Sequence, residues 1–229
     1  MNRPPRRRPG RPADADGAIT RQRIIDAAVL CFAARGFAEA TNRAIARQAG
    51  VTSALLYHYF DSKAALYRAA LSDVTTALIG AYHQACLDAP EASSAVQLSL
   101  GLEKVIELSR RRPGLIRFAS ASTSEIARNH DLDWLDESEG TAFPRFFRRL
   151  LLRARQRREL APTLDIEAAV RVLQACIAGL GSSYDSLRDE REFATVLRTF
   201  QRLLTGDFFS APRVGAPGRK RPGRPAPIN

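Results

Sequence analysis

Apolar residues recur with a helical period along nearly the whole chain. Ile25, Ala28, Val29 and Phe32 stand at i, i+3, i+4 and i+7, one face of a helix. A shorter pattern follows at Ala44, Ile45, Ala46 and Ala49, after Thr41 and before Gly50. A third runs over about 53–59 behind Thr52, and its Val51, Leu56 and Phe60 are expected to face inward against the first helix. Longer patterns predict helices over 63–87, closed by Pro90, then 95–112, ended by Pro113, then 114–128. A loop or short turn is expected over 129–136, around Trp134. Further helices are expected over 139–159, 165–187 and 190–205, with Pro162 and Gly206 as stops. Pro144, inside 139–159, marks either that helix's real start or a kink. No alternating strand pattern is present, so the expected fold is all-α with about nine helices.

The short helices near the start carry the sharpest signals. Thr41 and Thr52 stand where N-caps are needed, and Asp61 or Ser62 can cap the helix that begins at Lys63. Gly50 falls where a left-handed residue closes a helix. Two short helices joined by such a turn can offer the second to the DNA major groove. Lys63 in a first helical turn opposes the helix dipole, which suggests another use for it, phosphate contact being the natural one.

These residues carry a family resemblance. Ile24-Ile25-x-Ala27-Ala28 with Phe32 and Gly36-Phe37, Thr41-x-x-x-Ile45-Ala46, Ala49-Gly50-Val51-Thr52 and Leu56-Tyr57-x-x-Phe60-x-Ser62-Lys63-x-x-Leu66 together resemble the DNA-binding domain of the TetR family of bacterial transcriptional regulators. The likeness is dense from about Thr20 to Leu71; beyond it only helix count and end signals agree. Ala64 departs from it, since an acidic residue is common there. The resemblance implies a helix-turn-helix domain over 18–65 and a helical ligand-binding and dimerisation domain over 66–209, and composition sets off a basic arm over 1–17 and a basic tail over 210–229, both expected to be disordered. It places Arg43, Thr52, Ser53, Leu55 and His58 toward the major groove, and Thr41, Tyr57, Tyr59 and Lys63 toward phosphates. Arginine can take guanine bidentately and Leu55 can press on a thymine methyl. The plainer alternative makes Tyr57 and Tyr59 core aromatics and Arg43 a solvated charge.

Composition shifts the weight of the charge. The net charge is +11, yet ten of the excess positive charges lie in residues 1–12 and 213–229, which hold no acid. Those tails repeat each other, RRRPGRP at 6–12 and RKRPGRP at 219–225. Such a composition cannot build a core. The Gly-Arg-Pro element resembles an AT-hook, with Arg8, Arg11, Arg221 and Arg224 as minor-groove candidates, although a proline separates arginine from glycine. A solvated tail that adds only non-specific, salt-dependent affinity is the alternative.

The remaining residues narrow the function. Cys31, Cys86 and Cys176 lie far apart in apolar contexts and are expected to be buried free thiols. His58, His83 and His130 make no metal-ligand spacing with cysteine, so no metal and no cofactor are expected. No run is long enough to span a membrane and no signal peptide is visible, so a cytoplasmic location is expected. No nucleophile elbow, P-loop, dinucleotide fingerprint or zincin motif occurs, which argues against an enzyme. By resemblance, helices 165–187 and 190–205 pair with their copies in a homodimer, and the middle helices enclose a small-molecule pocket. Phe118, Trp134, Phe143, Phe147 and Cys176 are its candidate lining, with Arg117, His83 and His130 as candidate polar anchors. The expected function is a ligand-responsive repressor that binds a palindromic operator in double-stranded DNA and is released by an effector. The alternative is an architectural protein that clamps A·T-rich DNA with its two basic tails.

Overall fold

The computed structural model describes residues 13–129, 132, 142–183 and 190–206, and these are helical almost throughout. In chain order they form α1 (Ala13–Glu39), α2 (Asn42–Ala49), α3 (Ser53–Tyr59), α4 (Lys63–Asp88), α5 (Ser94–Arg111), α6 (Leu115–Arg128), α7 (Ala142–Gln156), α8 (Ile166–Ser183) and α9 (Glu190–Thr205). The described residues contain no strand, so the fold is all-α as the periodicity predicts.

The start signals act as the sequence suggests. The hydroxyls of Thr41, Thr52 and Ser62 accept the amides of Ala44, Leu55 and Ala65 at 3.2, 3.1 and 3.0 Å. Ser62, not Asp61, is therefore the cap of α4. Gly50 closes α2 at φ 64°, ψ 37°. Pro144 lies in the first turn of α7, where its missing N–H leaves no helical bond unmade. The predicted 139–159 helix is thus described only from Ala142, and ends at Gln156. Asp165 lies just outside α8 and accepts the amide of Ala168 at 3.0 Å. The end of the predicted 165–187 helix, beyond Ser183, lies outside the described residues.

The head is α1 to α3. Ile25, Ala28, Val29, Phe32, Ile45, Leu56 and Phe60 are buried together there, while Val51 is half-buried against them. The body is built on α4, which packs most extensively on α5; α6 lies against α1 and α8, α7 against α8, and α9 against α5. Head and body share one core. Tyr67 of α4 meets Phe32 and Phe37 of α1 and Phe118 of α6 edge-on, with ring centres 5.0, 5.3 and 5.2 Å apart. A polar seam runs beside them, where Arg112 after α5 donates to Asp26 of α1 at 2.7 Å and also to Asp73 of α4. Burial opposes the guanidinium charge, but the two carboxylates more than offset that and raise its pKa.

Gly36 is the hinge of this arrangement. Its φ of 75° breaks the helix inside α1, and a Cβ there would come within 2.8 Å of Glu125 Oε1. Gly36→Ala is predicted to destabilise the protein by about 1–3 kcal/mol. Urea unfolding reads this directly, and a change within about 0.5 kcal/mol would contradict the role assigned to the hinge.

Candidate nucleic-acid interface and the cavity behind it

Helix α3 is held by one residue and displays the rest. Leu56 is fully buried beneath it, whereas Ser53, Leu55, Tyr57 and His58 are exposed, Leu55 to 37% and Tyr57 to 52%. Large apolar or aromatic groups left this open gain nothing from the fold, so their placement fits an external partner. Arg43 is exposed on α2, and Thr41 and Thr52 are exposed at the two helix starts. Each threonine oxygen accepts its capping amide and keeps its own hydroxyl proton to donate. The core alternative thus fails for Tyr57.

Two expected phosphate contacts are turned inward. Tyr59 is half-buried and its ring stands edge-on to His58 at 5.3 Å. Its hydroxyl lies near Gly17 at the start of α1. Lys63 donates to the carbonyls of Phe37 and Ala38 at 2.7 and 3.2 Å, and its ammonium sits 4.4 Å from the centre of the Phe37 ring. The dipole-opposing lysine therefore has a structural use beside the one expected of it. Arg21, a cation absent from the sequence-based set, stacks over Phe60 at 5.1 Å.

The backbone of Phe37 is held from both sides. As Lys63 of α4 takes its carbonyl, Glu125 of α6 accepts its N–H at 3.0 Å. Asn129 donates to the same carboxylate at 3.1 Å. Charged hydrogen bonds of this kind are the stronger ones in a protein. Their effect is to fix the chain between α1 and α2, and so the placement of α3, relative to α4 and α6.

The other face of α6 borders a cavity of about 70 Å³. Its walls are i, i+4 pairs from five helices: Leu78 and Tyr82, Leu102 and Ile106, Ile116 and Ser120, Ile177 and Gly181, Phe193 and Leu197. Phe143 of α7 lines it too, and with Phe147 also lines an adjoining chamber. The other expected lining residues are corrected. Phe118 is buried in the aromatic group at the head–body junction and does not reach the cavity. Cys176 is half-buried and lines neither chamber. Trp134 and His130 lie outside the described residues. His83 is exposed at the edge of Phe146, and exposed Arg117 lines a separate groove between α1 and α6, so neither is an anchor in the cavity.

Cys31, Cys86 and Cys176 are free but half-buried, less enclosed than expected. Burial pushes the thiols of Cys31 and Cys86 up, which keeps them protonated and poorly nucleophilic. Among the described residues no cluster of His, Cys, Asp and Glu could hold a metal, and no helix is long and apolar enough to cross a membrane. Arg8, Arg11, Arg221 and Arg224 lie outside the described residues.

Known proteins share this plan. Residues 24–70 match the sequence profile of bacterial regulatory proteins of the tetR family. The HTH-type transcriptional regulator SrpR of Pseudomonas putida is 29% identical over 197 residues, covering 80% of this chain and 83% of the relative. The uncharacterized HTH-type transcriptional regulator TtgW, also of Pseudomonas putida, is 47% identical over 58 residues, 25% of this chain and 43% of its own. The fatty acid degradation regulator FadR of Bacillus halodurans superposes with a TM-score of 0.67 at 18% identity, covering 81% of this chain and 97% of that one. FadR of Bacillus subtilis, solved in complex with stearoyl-CoA, gives 0.67 at 21% identity, covering 81% and 98%. At such identities the structural matches speak for the fold, whereas the family profile covers the helix-turn-helix with its capped, exposed α3. Residues 24–70 carry the pattern of the tetR family of bacterial regulatory proteins, within a chain that is similar over 80% of its length to a helix-turn-helix transcriptional regulator.

Proposed function

We propose that the protein is a ligand-responsive repressor, acting in the cytoplasm as a homodimer on a palindromic operator. The observation that carries this reading is the double hold on Phe37. It joins α6, a wall of the cavity, to the turn from which the DNA-reading helices hang. A molecule seated against Ile116 and Ser120 displaces α6, and Glu125 moves with it. The effector then favours whichever head spacing cannot dock, by as much as its affinity differs between the two states. The stearoyl-CoA of the Bacillus subtilis neighbour is not carried over, because that likeness extends to the fold only.

The dimer reading has its own support. One face of α8 presents Ala168, Val172, Ala175, Gly179 and Ser182 to the outside, spaced by alternating fours and threes, with Val172 60% exposed. Such a seam of small and apolar residues suits close helix pairing. Leu203 of α9, the other helix of the expected interface, is 49% exposed. A pair of α3 helices set one turn of DNA apart, about 34–36 Å, reads two half-sites.

Thr41, Arg43, Thr52, Ser53, Leu55, Tyr57 and His58 are the residues proposed to meet DNA, with Tyr59 and Lys63 supporting them from behind. The repeated RPGRP tails favour a second contribution, in which Arg8, Arg11, Arg221 and Arg224 add attraction to phosphate or enter an A·T-rich minor groove. An architectural role without sequence preference is the competing outcome.

DNase footprinting over the region upstream of the gene separates the two. A short protected inverted repeat is expected, and uniform protection without preference favours the architectural role. Arg43→Ala is expected to cost about 1–3 kcal/mol of preference for that repeat over scrambled DNA, with unchanged thermal stability. An unaltered preference removes Arg43 from the reading surface. Deleting residues 1–12 and 213–229 is expected to flatten the dependence of log affinity on log salt, and an unchanged slope means that the tails do not meet DNA.

A further inference from the structure

The cavity bordered by α6 is walled by helices whose charged side chains turn away from it. Lys104 of α5 is paired with Asp88, and Arg148 of α7 with Glu167. Glu103 takes a hydrogen bond from Gln201 at the surface, and Arg117 is exposed in the groove on the other side of α6. Among the described residues, the polar side chains lining the main chamber are those of Tyr82 and Ser120. The adjoining chamber adds the amide of Gln174. Ser120 gives its proton to the carbonyl of Ile116 at 2.9 Å, so it presents acceptor lone pairs. Tyr82 is buried, and that burial pushes its phenol up, which keeps it neutral.

The Tyr82 ring and the Ser120 hydroxyl are seated by glycines. A Cβ on Gly101 would fall 2.1 Å from Tyr82 Cδ1, and one on Gly181 would fall 1.9 Å from Ser120 Oγ. Close approach at these two points holds Tyr82 and Ser120 against the walls, and the open space is about 70 Å³ in the main chamber and about 290 Å³ in the adjoining one. The two chambers share Leu78, Ala119, Ser120, Phe143 and Ile177, so a molecule can extend from one into the other.

We propose that this cavity takes an uncharged, largely apolar molecule with one or two hydrogen-bonding groups, seated against Tyr82 and Ser120. An ionised ligand would lose its hydration and meet no counter-charge among the described residues, whereas a neutral one gains from burying its apolar surface. The regulatory meaning of this site rests on the repressor reading above; the class of ligand rests on the lining alone.

A matched pair of fluorescent probes tests the class. N-phenyl-1-naphthylamine is neutral, and 1-anilinonaphthalene-8-sulfonate is the same aromatic frame with a sulfonate. Both are titrated into the full-length protein, and cavity binding is the part abolished by Ala119→Leu or, from the facing wall, by Val105→Phe. Thermal melts of both variants report that the fold is kept. The neutral probe is expected to bind the cavity at least tenfold more tightly than the sulfonate. Gln174→Arg is expected to raise sulfonate binding severalfold and leave the neutral probe nearly unchanged. Equal cavity binding of the two probes, no cavity binding of the neutral one, or a sulfonate indifferent to Gln174→Arg overturns the proposal. Operator affinity measured in the same samples keeps the two readings apart. A bound neutral probe without effect on operator affinity counts against the repressor reading and leaves the ligand class standing. A charged compound that releases the operator through the same filled-in site does the reverse.

Discussion

The backbone of Phe37 is gripped on its N–H by Glu125 of α6 and on its carbonyl by Lys63 of α4, two side chains from different helices of the body. A head of three short helices has little surface with which to orient itself. α2 is 8 residues long and α3 is 7, too short to be stable without tertiary support. Their direction is set by the chain segment that leads into them, and that segment turns at Gly36 and Phe37. The aromatic rings of Phe32, Phe37, Tyr67 and Phe118 fill the space beneath the grip and exclude water from it. Charged hydrogen bonds at the edge of such a group specify direction, which apolar packing alone does not.

From this constraint the division of labour follows. α6 serves two neighbours at once: its first turns line the cavity through Ile116 and Ser120, and its last turns hold Phe37 through Glu125. A rigid helix with a load at each end passes displacement from one to the other. The tight seats at Gly101 and Gly181 leave α4–α5 and α6–α8 little room to slide without consequence. Under the proposed function, this body suits a two-state response better than a graded one, acting through the exposed face of α3.

What was legible in the sequence was local. Thr41, Thr52 and Gly50 act within three or four residues of themselves, so their roles could be read from position alone. The buried face of α1 and the exposed face of α3 follow from helical period. The contacts that carry coupling were not legible, because Glu125 lies 88 residues from Phe37 and nothing in the local pattern marks it. Lys63 is a misfit for its helix end in the sequence, yet its partner, the carbonyl of Phe37, is set by the fold. The cavity was hidden for a related reason. Its i, i+4 pairs have the same spacing as core, and large aromatic residues drew attention to Phe118, which fills the junction instead. Glycines at 101 and 181 gave the better clue, since a helix keeps a glycine in its interior at some cost.

The claim at the centre of this account is that the hold on Phe37 sets how the head meets DNA. Operator affinity of Glu125→Ala, measured by fluorescence anisotropy beside Glu125→Gln, tests it most directly. Loss of the acceptor is predicted to weaken operator binding by about tenfold, equal to about 1.4 kcal/mol, with the salt dependence unchanged. Glu125→Gln keeps an oxygen for the Phe37 N–H and is predicted to retain most of the affinity. Wild-type affinity in Glu125→Ala, with its fold intact, would contradict the account.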